Sequence, residues 1–150
     1  MNRRSLTALA VAGVAALALV TGCSSSAESP TTMEGAPVTT AAPSLGAALD
    51  PSAFASALKR PGTTVLDVRT PAEFAAGHLK SAVNMDVSAP DFATKVAALD
   101  KSAPYAVYCH SGNRSAAALE VMKGQGFTNA YHLAGGISAW QSAGGEVVTN

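Results

Sequence analysis

From residue 45 onward the apolar positions of this chain switch repeatedly between a strand-like run and a helix-like spacing. Asp50 followed by Pro51 reads as an N-cap and first helical residue, and it opens a helix through Lys59 with Phe54 and Leu58 on one face. Thr63 to Val68 is a short β-branched run, the mark of a buried strand. Thr70-Pro71-Ala72-Glu73 is a capping-box pattern, so a short helix follows at once. Ala82 to Met85 predicts a second strand, and Ser88 to Leu99 an amphipathic helix with Phe92, Val96 and Leu99 on its inner face. Tyr105 to Tyr108 predicts a third strand, Ser115 to Lys123 a helix halted by Gly124-Gln125-Gly126, and Ala130 to Leu133 a fourth strand. Gly135-Gly136 then turns into a closing helix from Ile137 to Gln141. Strands separated by helices require crossover connections, which predicts an α/β fold with a mainly parallel sheet and helices on both faces.

The first 44 residues carry different patterns. Arg3 and Arg4 precede an apolar stretch from Leu6 to Val20 that ends in Val20-Thr21-Gly22-Cys23. As a helix that stretch would reach about 22 Å, short of a hydrocarbon core of roughly 30 Å, so it reads as an export signal over residues 1–22 rather than a permanent span. The last four residues resemble a bacterial lipobox. That resemblance implies a lipidated Cys23 and a protein anchored to the bacterial cell membrane with its domain outside the cytoplasm; two or more acyl chains suffice for stable anchoring. Residues 23–44 are then mostly Ser, Thr, Ala and Pro, without an aromatic, and read as a disordered tether. The folded domain is expected over residues 45–150.

Composition narrows the function. Hydrophobic residues make up 48% of the 150-residue chain, though alanine supplies nearly half of them, which allows one modest core. Ten basic residues balance ten acidic ones, so the chain lacks the field expected of a nucleic-acid binder. Two cysteines cannot build a disulfide scaffold, and their spacing matches no zinc site. No metal and no cofactor is expected.

Each cysteine therefore has to be read alone. In a parallel sheet ligands collect beyond the carboxyl ends of the strands, where loops enter helices. Cys109 stands there, opening the loop Cys109-His110-Ser111-Gly112-Asn113-Arg114-Ser115. Short polar residues around Gly112 let successive amides turn inward as an anion-cradling nest, to which the helix dipole adds. A cysteine inside such a nest has its thiolate favoured; lowering its pKa by about two units needs about 2.7 kcal/mol, within reach of several amides.

Leu66-Asp67-Val68-Arg69, Glu73-Phe74, Gly77-His78-Leu79, Ala82-Val83-Asn84, the Cys109–Ser115 loop and Leu133-Ala134-Gly135-Gly136-Ile137 with Trp140 together resemble a rhodanese domain. The resemblance implies a five-stranded core sheet and a sulfurtransferase. Cys109 would take a sulfane sulfur from a small anionic donor such as thiosulfate as a persulfide, and pass it to cyanide or a thiol. Residues His110 to Ser115 would bind the donor, with Arg114 orienting the loop and adding charge unless it is simply a solvated first-turn arginine. Asp67 and Arg69 either help shape the site or form an ion pair that fixes a loop. Glu73 is read as a helix cap, Trp140 as core, and neither His78 nor His110 is needed as a base for a thiolate already formed, His110 remaining a lining residue. Regeneration would draw on an envelope redox partner that the sequence does not name.

Two other readings stay open. Phosphatases and arsenate reductases with a cysteine-based cradle place five residues between Cys and Arg; here four lie between Cys109 and Arg114, a tighter loop suited to one sulfur. A persulfide carrier or redox-sensing module that does not turn over is the non-enzymatic alternative.

Overall fold

The computed structural model describes residues 42–149. The export signal, Cys23 and nearly all of the tether lie outside the described residues.

Five strands form one parallel sheet in the order β1-β5-β4-β2-β3, with β1 at Ala48–Leu49, β2 at Thr64–Asp67, β3 at Val83–Asn84, β4 at Tyr105–Tyr108 and β5 at Ala130–Leu133. Helices α1 (Pro51–Leu58), α2 (Pro71–Ala76), α3 (Phe92–Ala97), α4 (Asn113–Gly124) and α5 (Gly136–Ser142) fill the intervals. The edge strand β1 is the element the hydrophobic pattern did not locate. At two residues it has no periodicity to read, and it exists because β5 offers it a ladder.

Local chemistry accounts for most boundaries. Asp50 accepts hydrogen bonds from the Ser52 and Ala53 amides at 2.9 Å each, capping α1. Thr70 and Glu73 close the expected capping box at the start of α2. Helix α3 is shorter than the apolar spacing suggested. Asp86 draws the Ser88 amide into a turn at 2.8 Å, and Pro90 disfavours helical geometry at Ala89, so the helix starts only at Phe92. Phe92 and Val96 are nevertheless buried, and Leu99 packs against the same core.

Alternation along the strands divides the interior in two. Tyr105, Val107 and Cys109 join Leu66 and Val68 on one face, covered by Phe92 and Val96 of α3 and by Ala118, Leu119 and Met122 of α4. Ala106 and Tyr108 join Val65 and Leu133 on the other, covered by Phe54 and Ala57 of α1 and by Ile137 of α5. Phe54 is fully buried there and meets the Tyr131 and Trp140 rings edge-on, at 6.1 and 6.2 Å between centroids. Helices thus cover both faces, and Cys109 leaves the end of β4 pointing toward α3 and α4.

The chain runs outward from β2 to β3 on one side and from β4 to β5 on the other. The crevice between β2 and β4, at their carboxyl ends, is the topological switch point where an open parallel sheet binds ligands.

Candidate active site

Cys109 follows β4 directly and is fully buried. The loop after it closes at Gly112, whose φ of 101° is left-handed, and α4 begins at the next residue, two positions earlier than the apolar pattern placed it. Because Gly112 is the N-cap, no side chain takes up the first amides of α4. They are left for the sulfur: the Gly112 N–H donates to Cys109 Sγ at 3.1 Å.

Burial, the largest single influence on the thiol, pushes its pKa up. The Ser115 hydroxyl and the amides of Ser115, Gly112 and Ser111 together outweigh it, and the Cys109 pKa falls below its ordinary value.

A second helix end determines which way the loop faces. The N-cap of α5 is also a glycine without a capping side chain, Gly135. Its exposed amides are taken by the loop that follows β4: Ile137 N–H donates to the Cys109 carbonyl at 2.8 Å and Ser138 N–H to the His110 carbonyl at 3.2 Å. With those carbonyls drawn down onto α5, the amides that follow face the sulfur. The approach is close enough to require glycine. A Cβ on Gly136 would lie 2.4 Å from the His110 carbonyl oxygen and 2.5 Å from that of Cys109, and one on Gly112 would lie 3.2 Å from the Gly135 nitrogen.

Arg114 and Glu73 bridge the crevice. The guanidinium donates to both carboxylate oxygens, at 2.7 and 2.8 Å, tying α4 to α2. Glu73 therefore does more than cap α2. Hydrogen bonds from Arg114, against a smaller effect of burial and with help from the Thr70 amide and hydroxyl, hold its pKa down to about 2. The charge expected of Arg114 is largely spent on this pair.

Asp67 and Arg69 come to the same edge of the sheet but on the face of Tyr108, opposite Cys109. Arg69 donates two-pronged to Asp67 and also to the Gly77 carbonyl, while the Asn84 amide donates to the carbonyls of Asp67 and Arg69 at 3.1 and 2.8 Å. This buried ion pair ties together the segments after β2 and α2. Tyr108 lies between them in the fold: the Leu79 N–H donates to its hydroxyl at 3.0 Å and the Arg69 guanidinium sits 5.6 Å from its ring centroid.

The remaining loop residues form the rim. His110, Ser111 and Asn113 are exposed, and His110 Nε2 meets the Ser138 hydroxyl at 3.3 Å. His78 is buried away from the sulfur, stacked on Phe74 at 3.8 Å and bonded to the Phe74 carbonyl through Nδ1. Trp140 is half-buried and donates to the Glu146 carbonyl at 2.9 Å. A cavity of about 200 Å³ runs between α1 and the end of α5 beside Trp140 and is lined by no residue of the Cys109–Ser115 loop. Among the described residues no group of His, Cys, Asp and Glu is gathered as a metal would require.

Sequence reasoning missed two partners. The Glu73–Arg114 pair joins residues 41 positions apart, beyond any local pattern. His132, on β5, meets the buried Ser115 hydroxyl at 3.0 Å, and a histidine inside a strand gives no sign of what lies above it.

Residues 50–143 match the model of the rhodanese-like domain. This chain belongs to the rhodanese-like domain family. It is 40% identical over 89 residues to the thiosulfate sulfurtransferase GlpE of Pseudomonas entomophila, across 59% of this chain and 79% of that protein. The GlpE thiosulfate sulfurtransferase of Pseudomonas aeruginosa is likewise 40% identical, over 86 residues, 57% of this chain and 76% of its own. Among solved structures, the rhodanese-related protein from Thermoplasma volcanium superposes with a TM-score of 0.62 at 34% identity, covering 69% of this chain and 99% of that one. The five-stranded sheet with helices on both faces is the rhodanese-like fold.

Two outcomes follow for the rhodanese-like domain. Gly136→Ala forces a Cβ into the loop carbonyls at a left-handed φ of 61°, so it should destabilise the domain by more than about 2 kcal/mol in urea unfolding and slow alkylation of Cys109 at fixed pH. Glu73 has a folded pKa of about 2 against an ordinary 4.5, so its stabilisation is complete above pH 4.5 and drains away as the pH falls toward 2. The pair is about one-third exposed, which limits the effect to about 1 kcal/mol; unfolding of Glu73→Gln across that range should show a correspondingly flatter acid limb.

Proposed function

We propose that this rhodanese-like domain is a sulfurtransferase working through a Cys109 persulfide. The observation that carries the reading is the buried sulfur at the floor of a loop whose amides point at it, in a chain whose relatives are named thiosulfate sulfurtransferases.

The geometry supplies what each step needs. The Cys109 thiolate attacks the outer sulfur of thiosulfate; a Cys–S bond forms, the S–S bond to the sulfonate breaks, and sulfite leaves with the electron pair. The persulfide keeps its negative charge, so the site holds an anion before, during and after transfer. Preset amides do this without rearrangement. Attack by cyanide or a thiolate on the outer sulfur then breaks the Cys–S bond, returns the pair to Cys109 and restores the thiolate. No proton is required from a side chain.

The dimensions favour sulfur over phosphate. Only four residues separate Cys109 from Arg114, the sulfur has no exposed surface, and the arginine that would grip a phosphate is engaged by Glu73.

Lipobox-like residues before the domain support a place in the bacterial cell envelope, anchored at Cys23, where an envelope thiol partner would accept the sulfur.

Incubation of the purified protein with thiosulfate should add about 32 Da, the mass of one sulfur atom, to the Cys109 peptide. The adduct should vanish on addition of cyanide and never form in Cys109→Ser; no adduct on the wild type refutes the sulfurtransferase, and an adduct without turnover leaves a carrier. For the anchor, membrane fractions should hold the wild type and release Cys23→Ala, while unchanged retention of the variant refutes lipidation at that residue.

A further inference from the structure

The Ser115 hydroxyl sits in a network with one proton too few for its neighbours. Ser115 is fully buried, and its Oγ lies 2.9 Å from the Gly112 carbonyl and 3.0 Å from His132 Nδ1. It is also one of the groups that favour the Cys109 thiolate. A hydroxyl has a single proton to give and two lone pairs to fill. The carbonyl can only accept, so the bond to Gly112 consumes that proton. Nδ1 at 3.0 Å must then be a donor, because two bare acceptors at that distance repel each other.

Gly112 does not depend on this bond. Its carbonyl also accepts the Ala116 N–H at 3.0 Å. Turning the Ser115 proton to the sulfur therefore orphans no buried group, but it leaves Oγ facing the carbonyl oxygen at 2.9 Å, a repulsion that a group donating to Oγ in both positions offsets. His132 is placed to do that from β5, the strand next to β4, where Val107 is its register partner. Burial lowers the His132 pKa and so favours the neutral ring, and the bond geometry at Oγ places its one proton on Nδ1.

We propose that His132 is a positioning residue for sulfur transfer: its Nδ1–H holds and polarises the Ser115 hydroxyl, so that the hydroxyl proton turns from the Gly112 carbonyl to the Cys109 sulfur when that sulfur is charged. The proposal rests on Cys109 as the nucleophile but not on any particular donor. Donation into Oγ strengthens the hydrogen bond that Oγ makes onward, so the ring acts on sulfur through Ser115 alone. The other titratable groups about the loop are Arg114, engaged by Glu73 and in the field of Asp86, and His110 beside Ser138 on the rim. All of them are unchanged in the variants below.

The test reads the thiolate and not the transfer reaction. Iodoacetamide alkylation of the Cys109 peptide in the full-length protein, followed by mass spectrometry across pH, gives the thiol midpoint. His132→Leu should raise that midpoint by about half a unit, about threefold less thiolate below it. His132→Asn, whose side-chain amide can donate from the same place, should bring it back. In a Ser115→Ala background His132→Leu should add nothing, the signature of two residues acting as one unit. Nitrogen-15 NMR of the wild-type His132 ring should show the Nδ1–H tautomer. An Nε2–H tautomer overturns the proposal even if no variant folds. So does an unmoved midpoint in His132→Leu, or a shift that persists without the Ser115 hydroxyl. Absence of a thiosulfate adduct would refute the sulfurtransferase reading and leave these measurements standing.

Discussion

Two glycine-capped helix ends, set against one loop, decide the geometry of the whole site. A helix N-terminus leaves amides without partners, and an ordinary cap fills some of them with a serine or aspartate oxygen, as Asp50 does for α1. Here α4 and α5 begin at Gly112 and Gly135 and have no such oxygen. The amides of α5 take the carbonyls of Cys109 and His110, and the amides at the start of α4 are left facing the sulfur. One peptide loop thereby acts as cap for one helix and as anion cradle with the other. Neither arrangement works without the close backbone approach at Gly136, which any side chain would prevent.

Such a cradle lets a chain with no net charge hold an anion. Both buried or half-buried arginines near the crevice are committed to carboxylates, Arg69 to Asp67 and Arg114 to Glu73. Their work is to lock α2, α4 and the segments after β2, so that the cradle is set before a donor arrives. The negative charge is left to the Ser115 hydroxyl and to backbone dipoles, which are strongest at short range inside a dry site and exert little pull at a distance. Such a site selects by fit and gives up long-range attraction of anions.

The alternating pattern of strands and helices was legible because the sheet is buried on both faces and its helices carry clear caps. Asp50-Pro51 and Thr70-Pro71-Ala72-Glu73 mark helix starts through bonds made within four residues, which is why they can be read from the chain alone. Cys109 was legible for a similar reason, standing between a strand and a glycine-containing turn. Elements that exist only through distant partners were not. Strand β1 is called into being by β5, Arg114 finds Glu73 across the crevice, and His132 finds Ser115 only when α4 is laid over β5. Gly135-Gly136 reads locally as a turn, yet its purpose lies in the loop 25 residues earlier. The pairing of Asp67 with Arg69 was foreseen as one of two roles, but which face of the sheet they occupy depends on strand alternation relative to Cys109, and that required the ladder register.

The depth of the sulfur divides the loop into a buried floor and an open rim. Cys109 has no exposed surface, whereas His110, Ser111 and Asn113 above it are open to solvent and make few bonds to the fold. The floor is built from backbone amides, a buried hydroxyl and glycine contacts, so most substitutions there would cost the fold its stability as well as the site its reactivity. Substitutions on the exposed rim meet a smaller penalty, His110 giving up one contact with the Ser138 hydroxyl. Positions 110, 111 and 113 are therefore open to change while the cradle around Cys109 stays fixed, a division imposed by burial alone.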